Sequence, residues 1–424
     1  MRRSVTEHQA AVLALLQHAW QGRFNGGERL PLIDCLARVA AEDVVAPLDL
    51  PPFANSQMDG FAVCSADLAE RATLRAAETI PAGSVPAALK RGEAAPIMTG
   101  AMLPEGADAV VPVERADPAA FPDPGDRAAT VTLPRTDAGA YVRTAGSDVP
   151  AGTIAIRAGV RLTAAHLGLA AALGLTGLAV RPRPRVLLVA TGDEVVLPGN
   201  GLPAGKIYDA NSMLLHANLL EAGAEVLAAG LVPDDPAELL RLLEERIETG
   251  RVDLVVTSGG ISAGAYEVVK QALAGQVEFC SVAMQPGGPQ ALGSVRGVPL
   301  LGFPGNPVSG VVSFEMFLRP ALVELTGMGQ PRTRVSARLA EGLVSPADKV
   351  QVRRALYTDR RASADPASAV AGPAGPTTST GTVATVGGPS SHLLGSLAAS
   401  NALIRIPAHV TELAAGAEVE VWLL

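Results

Sequence analysis

The sequence predicts a multi-domain α/β protein organised around a central, mostly parallel sheet. Three observations predict it. From Arg185 to about Gly327, strand-like apolar runs alternate with helix-like runs, the pattern of a parallel sheet covered by helices. On either side the chain breaks into short β-like pieces separated by Pro, Gly and Asp. At 424 residues it has room for several domains of roughly 150 residues each.

Taken in order, the first element is a helix. Thr6 is a candidate N-cap, and Val12, Leu15, Leu16 and Ala19 share one face. A second helical pattern follows from Pro31 through Ile33, Leu36, Ala37 and Ala40. Residues 47–141 read as a β-rich domain, with segments at Val110-Val111, Val131-Leu133 and Tyr141-Val142 and a Pro-rich loop from Pro118 to Arg127. Leu162 to Val180 is apolar over nearly a membrane-spanning length. His166 and the breaks at Gly174 and Gly177 favour a buried helix, a turn and a short strand. Packing of that helix against the first ones would make a discontinuous helical domain of residues 1–46 plus 142–181.

The central domain, residues 182–327, has strands predicted at Val186-Ala190, Val226-Val232, Asp253-Thr257 and Val298-Gly302. Helices are predicted after Asp209-Ala210-Asn211, after Asp235-Pro236 and from Val308 to about Leu325. Residues 328–424 return to β character, with Ala355 to Gly388 composed like a long loop. The run Glu418-Val419-Glu420-Val421-Trp422 alternates as a half-buried strand does.

In an open parallel sheet, ligands bind beyond the carboxyl ends of the strands. Three of the predicted strands end in unusual loops. Ser258-Gly259-Gly260-Ile261-Ser262 pairs two glycines, which allow close backbone approach, with two hydroxyl donors, and a helix start expected near Tyr266 suits an oxyanion. A tight strand-to-helix turn would use the same residues. Pro304-Gly305-Asn306-Pro307 reads as a helix start, but capping alone does not require Pro304-Gly305. Acidic residues stand at the strand ends in Thr191-Gly192-Asp193-Glu194, Asp234-Asp235 and Glu267, and upstream in Asn55-Ser56-Gln57-Met58-Asp59-Gly60. Carboxylates beside a phosphate loop repel the ligand unless a hard divalent cation lies between them. A plain helix cap accounts equally for Asp235, and an Asp-Gly turn for Asp59.

Composition excludes several classes. The net charge of −8 argues against nucleic-acid binding. Cys35, Cys64 and Cys280 form neither a disulfide framework nor a zinc site and fit a reducing cytoplasm, and the N-terminus has no hydrophobic signal core. No G-x-x-x-x-G-K-[ST], strand-linked G-x-G-x-x-G or G-x-S-x-G motif opens the α/β unit.

At these residues the chain resembles the molybdopterin molybdenumtransferase family, the bacterial MoeA proteins and the C-terminal domain of gephyrin. The matching stretches are PPFANSQMDGFAV, IMTGAMLPEGADAVVPVE, ATGDEV, KIYDAN, VPDDP, TSGGISAG, FPGNPVS and SHLLGSLAASNAL, in family order from about residue 47 to the C-terminus. The resemblance implies a homodimer of four-domain subunits, with a central domain like molybdopterin adenylyltransferase and a small C-terminal β-barrel. It implies that adenylylated molybdopterin and molybdate react with Mg²⁺ assistance, leaving molybdenum on the dithiolene and releasing AMP. It also implies a molybdopterin adenylyltransferase as a candidate partner, and neither nucleic acid nor membrane. Carried over residue by residue, the catalytic positions are Asp59, Thr99, Glu194, Asp235 (preferred to Asp234) and Glu267, with Glu194, Asp235 and Glu267 as cation ligands. Ser258, Gly259, Gly260, Ser262, Pro304, Gly305, Asn306 and Pro307 would surround the phosphates and pterin.

Two departures from the family pattern matter. Relatives carry an aspartate where this chain has Glu267, and two lysines where it has Gln285 and Gly288. Lost lysines weaken anion binding unless Arg296 or Lys270 compensates. A weakened scaffold-like paralogue and a nucleotide pyrophosphatase are therefore the alternative readings.

Overall fold

The computed structural model describes residues 2–123, 126, 128–261, 267–359 and 381–424. The chain divides into two compact units, one of Met1–Glu28, Ala37–Val39 and Arg181–Leu424, the other of Arg29–Leu36 and Ala40–Val180.

The first unit is centred on a seven-stranded sheet. Its strands are β1 (Arg2–Arg3), β2 (Arg185–Thr191), β3 (Glu225–Val232), β4 (Leu254–Ser258), β5 (Val277–Val282), β6 (Pro289–Val295) and β7 (Val298–Phe303), in the order β1-β5-β6-β7-β4-β2-β3. Strands β3, β2, β4 and β7 run parallel, with Ala190 opposite Ser258 and Ser258 opposite Phe303. Their carboxyl ends therefore emerge along one edge. Only β6 reverses direction, pairing antiparallel with both neighbours. Strands β2 and β4 are buried throughout their apolar runs, as parallel strands covered on both faces must be.

Two helical layers cover the sheet. On one face lie α1 (Val5–Ala19), α2 (Asn211–Glu221) and a long helix from Pro307 to Thr326. Val12, Leu16, Leu215, Leu219, Phe314 and Leu322 pack there against Val186, Val256 and Leu301. On the other lie α3 (Pro236–Thr249) and α4 (Val268–Ala272), whose Leu239, Leu243, Val268 and Val269 meet Leu187, Val255 and Leu300.

Helix α1 starts at a Ser4 cap rather than at Thr6. The Ser4 hydroxyl accepts from Glu7 N–H while the Glu7 carboxylate accepts from Ser4 N–H, a reciprocal capping box. Its apolar face also corrects the expected partner of this helix. Val5, Val12, Leu16 and Trp20 enter the core of the first unit, and the Trp20 indole donates to Asp253 O at 2.8 Å. The helix after Leu162 (Ala164–Ala172) instead shares a core with Cys35, Ala40, Ile156, Leu178 and Val180. The second helical pattern, from Pro31, is a single 3-10 turn, Leu32–Asp34, followed by Ala37 in a left-handed conformation that no helix continues through.

The long helix is α5 (Pro307–Ser313), a π turn (Phe314–Leu318) and α6 (Arg319–Thr326). Pro320 has no N–H to give back to the preceding turn, which is where the helix widens. The Gln9 side chain of α1 donates to Met316 O at 2.9 Å, supplying the bond that Pro320 cannot.

The rest of the first unit is a small barrel. Strands Val350–Thr358, Gly381–Thr385, Arg334–Leu339, Glu418–Leu423 and Ala402–Ile406 pair in that order, and the last pairs back to the first, closing five strands around Ala337, Val383, Ile404 and Val421. Two of these strands occupy the ends of the stretch from Ala355 to Gly388 that composition assigns to a loop, and residues 360–380 between them lie outside the described residues. The second unit holds a five-stranded sheet in the order Ala109–Pro112, Gly60–Val63, Glu93–Ile97, Arg71–Ala76 and Thr130–Pro134. No helix among the described residues is long and apolar enough to cross a membrane.

Candidate active site

The carboxyl ends of β2, β4 and β7 bring three loops together. Gly259 follows β4 with φ 92° and Gly260 has φ 66°, values that favour glycine. A side chain on Gly259 would begin 3.0 Å from Thr191 O and 3.2 Å from Thr191 Oγ1, and one on Gly305 would begin 3.4 Å from Gly259 Cα. Thr191, Gly259 and Gly305 therefore form a row of backbone approaches across three strand ends. Gly259 N–H donates to Phe303 O at 3.0 Å, locking the loop after β4 to the end of β7. The Asn211 side chain at the start of α2 donates to Gly305 O at 2.6 Å.

Two buried hydroxyls flank this row. Thr191 Oγ1 and Ser258 Oγ have no hydrogen-bond partner, and their residues are only 6% and 2% exposed. A buried hydroxyl left unpaired costs about 1–3 kcal/mol, so a ligand oxygen that satisfied either would recover that cost on binding. Sequence patterning picked out Ser258 but not Thr191, which reads as the end of an apolar strand.

The acidic residues gather beside the row. Asp193 N–H donates to Asp234 Oδ2 at 3.3 Å, and Asp234 N–H donates to Asp193 Oδ1 at 3.1 Å, clasping the loops after β2 and β3. Burial raises the Asp234 carboxyl above its ordinary value. The Asp193 amide pulls it back down, and the charges of Asp193, Glu194 and Glu267 push it up again. The Glu194 carboxylate folds over Gly192, 2.8 Å from where a side chain there would begin. Lys206 donates through Nζ to Asp193 O, placing a cation against this acidic group.

Asp235 does not face the group in the same way. Its Oδ1 accepts from Ala237 N–H at 2.8 Å and Glu238 N–H at 3.3 Å, capping α3, with Pro236 as the first helical residue. Asp235 is thus engaged as a helix cap through Oδ1, and Asp234 is the carboxylate that feels the charges of Asp193, Glu194 and Glu267. Among the described residues no three His, Cys, Asp or Glu side chains are close enough to hold an ion by themselves, so Glu194, Asp235 and Glu267 are not a preformed metal triad.

The remaining predicted positions fall as follows. Glu267 is the residue before α4, which starts at Val268. Asn306 precedes α5 and Pro307 opens it, as expected, yet the Asn306 side chain makes no capping bond. Pro304 is buried at the end of β7. Ser262 lies outside the described residues. In the second unit, Asp59 Oδ1 accepts from Thr99 N–H at 2.6 Å and Thr99 Oγ1 at 2.8 Å, and these bonds hold its carboxyl below the usual range.

Of the two cations named to compensate for the missing lysines, Lys270 lies in α4 with its backbone N–H donating to Gly260 O at 3.1 Å, whereas Arg296 is remote from the loops. Arg296 sits in the turn between β6 and β7, at the amino end of β7, and its guanidinium pairs with Glu244 at 2.7 Å. The strand-end loops lie at the other end of β7. Lys206 also reaches them, through its Nζ bond to Asp193 O. Gln285, in one of the vacated positions, accepts from Gln351 Nε2 at 3.1 Å.

Comparison with known proteins agrees with this arrangement. Residues 3–174 match the MoeA N-terminal region (domain I and II), residues 187–324 a probable molybdopterin binding domain, and residues 376–424 the MoeA C-terminal region (domain IV). The chain is 42% identical to molybdopterin molybdenumtransferase 2 of Mycobacterium tuberculosis over 435 aligned positions, covering 99% of each chain. It is 36% identical to molybdopterin molybdenumtransferase of Haemophilus influenzae, covering 72% of this chain and 74% of that one. The crystal structure of a molybdopterin biosynthesis MoeA protein from Pyrococcus horikosii superposes with a TM-score of 0.77 at 28% identity, covering 100% of this chain and 99% of that one. The parallel sheet with its glycine-lined strand ends, the closed barrel and near-complete alignment with these relatives identify the chain as a member of the MoeA family of molybdopterin molybdenumtransferases.

Proposed function

We propose that this chain inserts molybdenum from molybdate into adenylylated molybdopterin and releases AMP, using the cleft at the carboxyl ends of β2, β4 and β7. The observation that carries the proposal is the meeting of three strand-end loops at Thr191, Gly259 and Gly305, together with the orphaned buried hydroxyls of Thr191 and Ser258. Such hydroxyls suit the phosphate oxygens of a nucleotide-linked pterin, which accept from hydroxyl and amide donors.

Asp193, Glu194, Asp234 and Glu267 form one electrostatic group, which by itself repels such a substrate. Their donor set is all carboxylate oxygen, which fits Mg²⁺, an ion that takes one or two carboxylates and completes its shell from phosphate and water. Glu194 and Asp234 would hold it, and its charge would let phosphate and carboxylate share the cleft. The chain's own residues do the rest. Lys206 and the Asp193–Asp234 clasp orient the acidic loop, and the Thr191 and Ser258 hydroxyls bind phosphate oxygens. Molybdate is read as a substrate bound on neighbouring amide and hydroxyl donors. Asp59 and Thr99 are proposed as functional residues of the second unit, and the working assembly as a homodimer, which solution mass measurement checks.

The test is AMP release from adenylylated molybdopterin with Mg²⁺, with and without molybdate. Wild type should release AMP only when molybdate is present, and Glu194→Ala should slow release by about 100-fold or more. Molybdate-independent release would favour the pyrophosphatase reading, and near-normal turnover of the variant would remove Glu194 from the mechanism.

A further inference from the structure

We propose that Asn211 is a positioning residue for this cleft. It holds the Pro304-Gly305-Asn306-Pro307 loop at the distance from Gly259 and Thr191 that phosphate binding requires. The inference rests on the function proposed above.

Asn211 is the first residue of α2, yet its side chain does nothing for that helix. The helix start is served by the preceding Asp209, whose Oδ1 accepts from Ser212 N–H at 3.0 Å. The Asn211 amide instead reaches across the first unit to donate to Gly305 O at 2.6 Å. Gly305 stands against Gly259, and Gly259 against Thr191, so one side-chain bond secures the outer member of a three-loop row. Beyond Gly305 the loop is held by Gly310 N–H, which donates to Asn306 O at 3.0 Å, and by Val308 N–H, which donates to Ser391 O at 3.1 Å, but neither bond reaches Gly305. Pro304 and Pro307 have no N–H to donate, and the Asn306 side chain makes no capping bond. Loss of the Asn211 bond therefore frees the Gly305 carbonyl without unfolding either strand.

The chemistry also supplies a discriminating substitution. Asn211→Asp preserves size and places a negative charge in the first turn of α2, where the helix dipole favours it. The carboxylate cannot donate to Gly305 O and repels it instead. A residue serving only the fold would tolerate this change; a loop-positioning residue would not.

The experiment compares wild type, Asn211→Asp and Asn211→Ser in molybdate-dependent AMP release, with thermal unfolding run alongside. The proposal expects an unchanged melting temperature for Asn211→Asp together with a rise of about tenfold in KM for the adenylylated pterin, the factor that corresponds to about 1.4 kcal/mol of lost binding. Asn211→Ser, shorter but still a donor, should recover part of the loss. If wild type is active and Asn211→Asp keeps a wild-type KM and kcat, the positioning role is overturned while the function stands. If Asn211→Asp lowers the melting temperature and kcat together at constant KM, Asn211 is structural and the role is likewise overturned. An inactive wild type would overturn the function and this role with it.

Discussion

Single residues decide the chemistry at the strand ends, and Gly259 is the clearest case. Its φ of 92° and the 3.0 Å approach to Thr191 O leave no place for a methyl group. Gly259→Ala should cost about 1–2 kcal/mol from the left-handed backbone alone, read as a lower denaturation midpoint. It should also weaken substrate binding, because the added carbon projects toward the Thr191 hydroxyl. An alanine variant with wild-type stability and KM would show that the row is not a close approach. At this scale the sequence was only partly legible. Paired glycines and a Pro-Gly-Asn-Pro run announce backbone that must be bare, so Gly259, Gly260 and Gly305 could be named from types alone. Which of two adjacent aspartates clasps Asp193 could not, because Asp234 and Asp235 differ in direction and not in chemistry, and the following Pro236 explains only the cap. Thr191 and Asn211 escaped notice for a related reason. Each acquires its role from a neighbour distant in the chain.

At the scale of elements, the long helix shows how local rules and tertiary packing share the work. Its start at Asn306-Pro307 was legible from cap chemistry, whereas the π turn before Pro320 depends on Gln9 arriving from α1 to bond Met316 O. The same helix carries Glu315, fully buried, which accepts from Arg319 at 2.8 Å and from Arg332 at 2.9 Å, while Glu221 of α2 pairs with both arginines at 2.6 and 2.8 Å. Removing one partner of a buried ion pair leaves desolvated charge behind. Glu315→Ala should therefore destabilise the protein by about 3–5 kcal/mol, measurable by denaturant unfolding; a change below about 1 kcal/mol would contradict the buried network. The amphipathic face of α1 was readable in Val12 and Leu16, but periodicity gives the existence of a buried face and not the identity of what buries it. Composition missed the strands at the two ends of Ala355 to Gly388 for the opposite reason: small residues such as Ala355 and Gly381 pack inside a tight barrel, where they look like loop residues in sequence, while residues 360–380 lie outside the described residues.

For the molecule as a whole, His8 ties stability to pH. It is 1% exposed, meets the Phe317 ring edge-on at 4.6 Å between centroids, and lies 3.9 Å from Cys280 Sγ. Burial, reinforced by the charge of Arg3, pushes its pKa down from 6.5 to about 4. The unfolded chain therefore binds a proton that the folded chain refuses. Stability from this site is complete above pH 6.5 and declines as the pH falls, and the loss is full at about pH 4. The shift corresponds to roughly 3 kcal/mol in total, of which about 2 kcal/mol is lost by pH 5. Unfolding free energies of wild type and His8→Leu, measured at pH 7.5 and pH 5, should differ in slope by that amount. Parallel profiles would mean that His8 is accessible to protons in the native state. The burial of α1 against strands that begin at Arg185 has one more effect, on biosynthesis. Val5, Val12, Leu16 and Trp20 leave the ribosome long before Val186, Leu301 or Leu322 exist to receive them. At about 5–20 residues per second, the nascent chain carries this uncovered apolar helix for on the order of tens of seconds, so its earliest segment is a ready client for chaperones during translation.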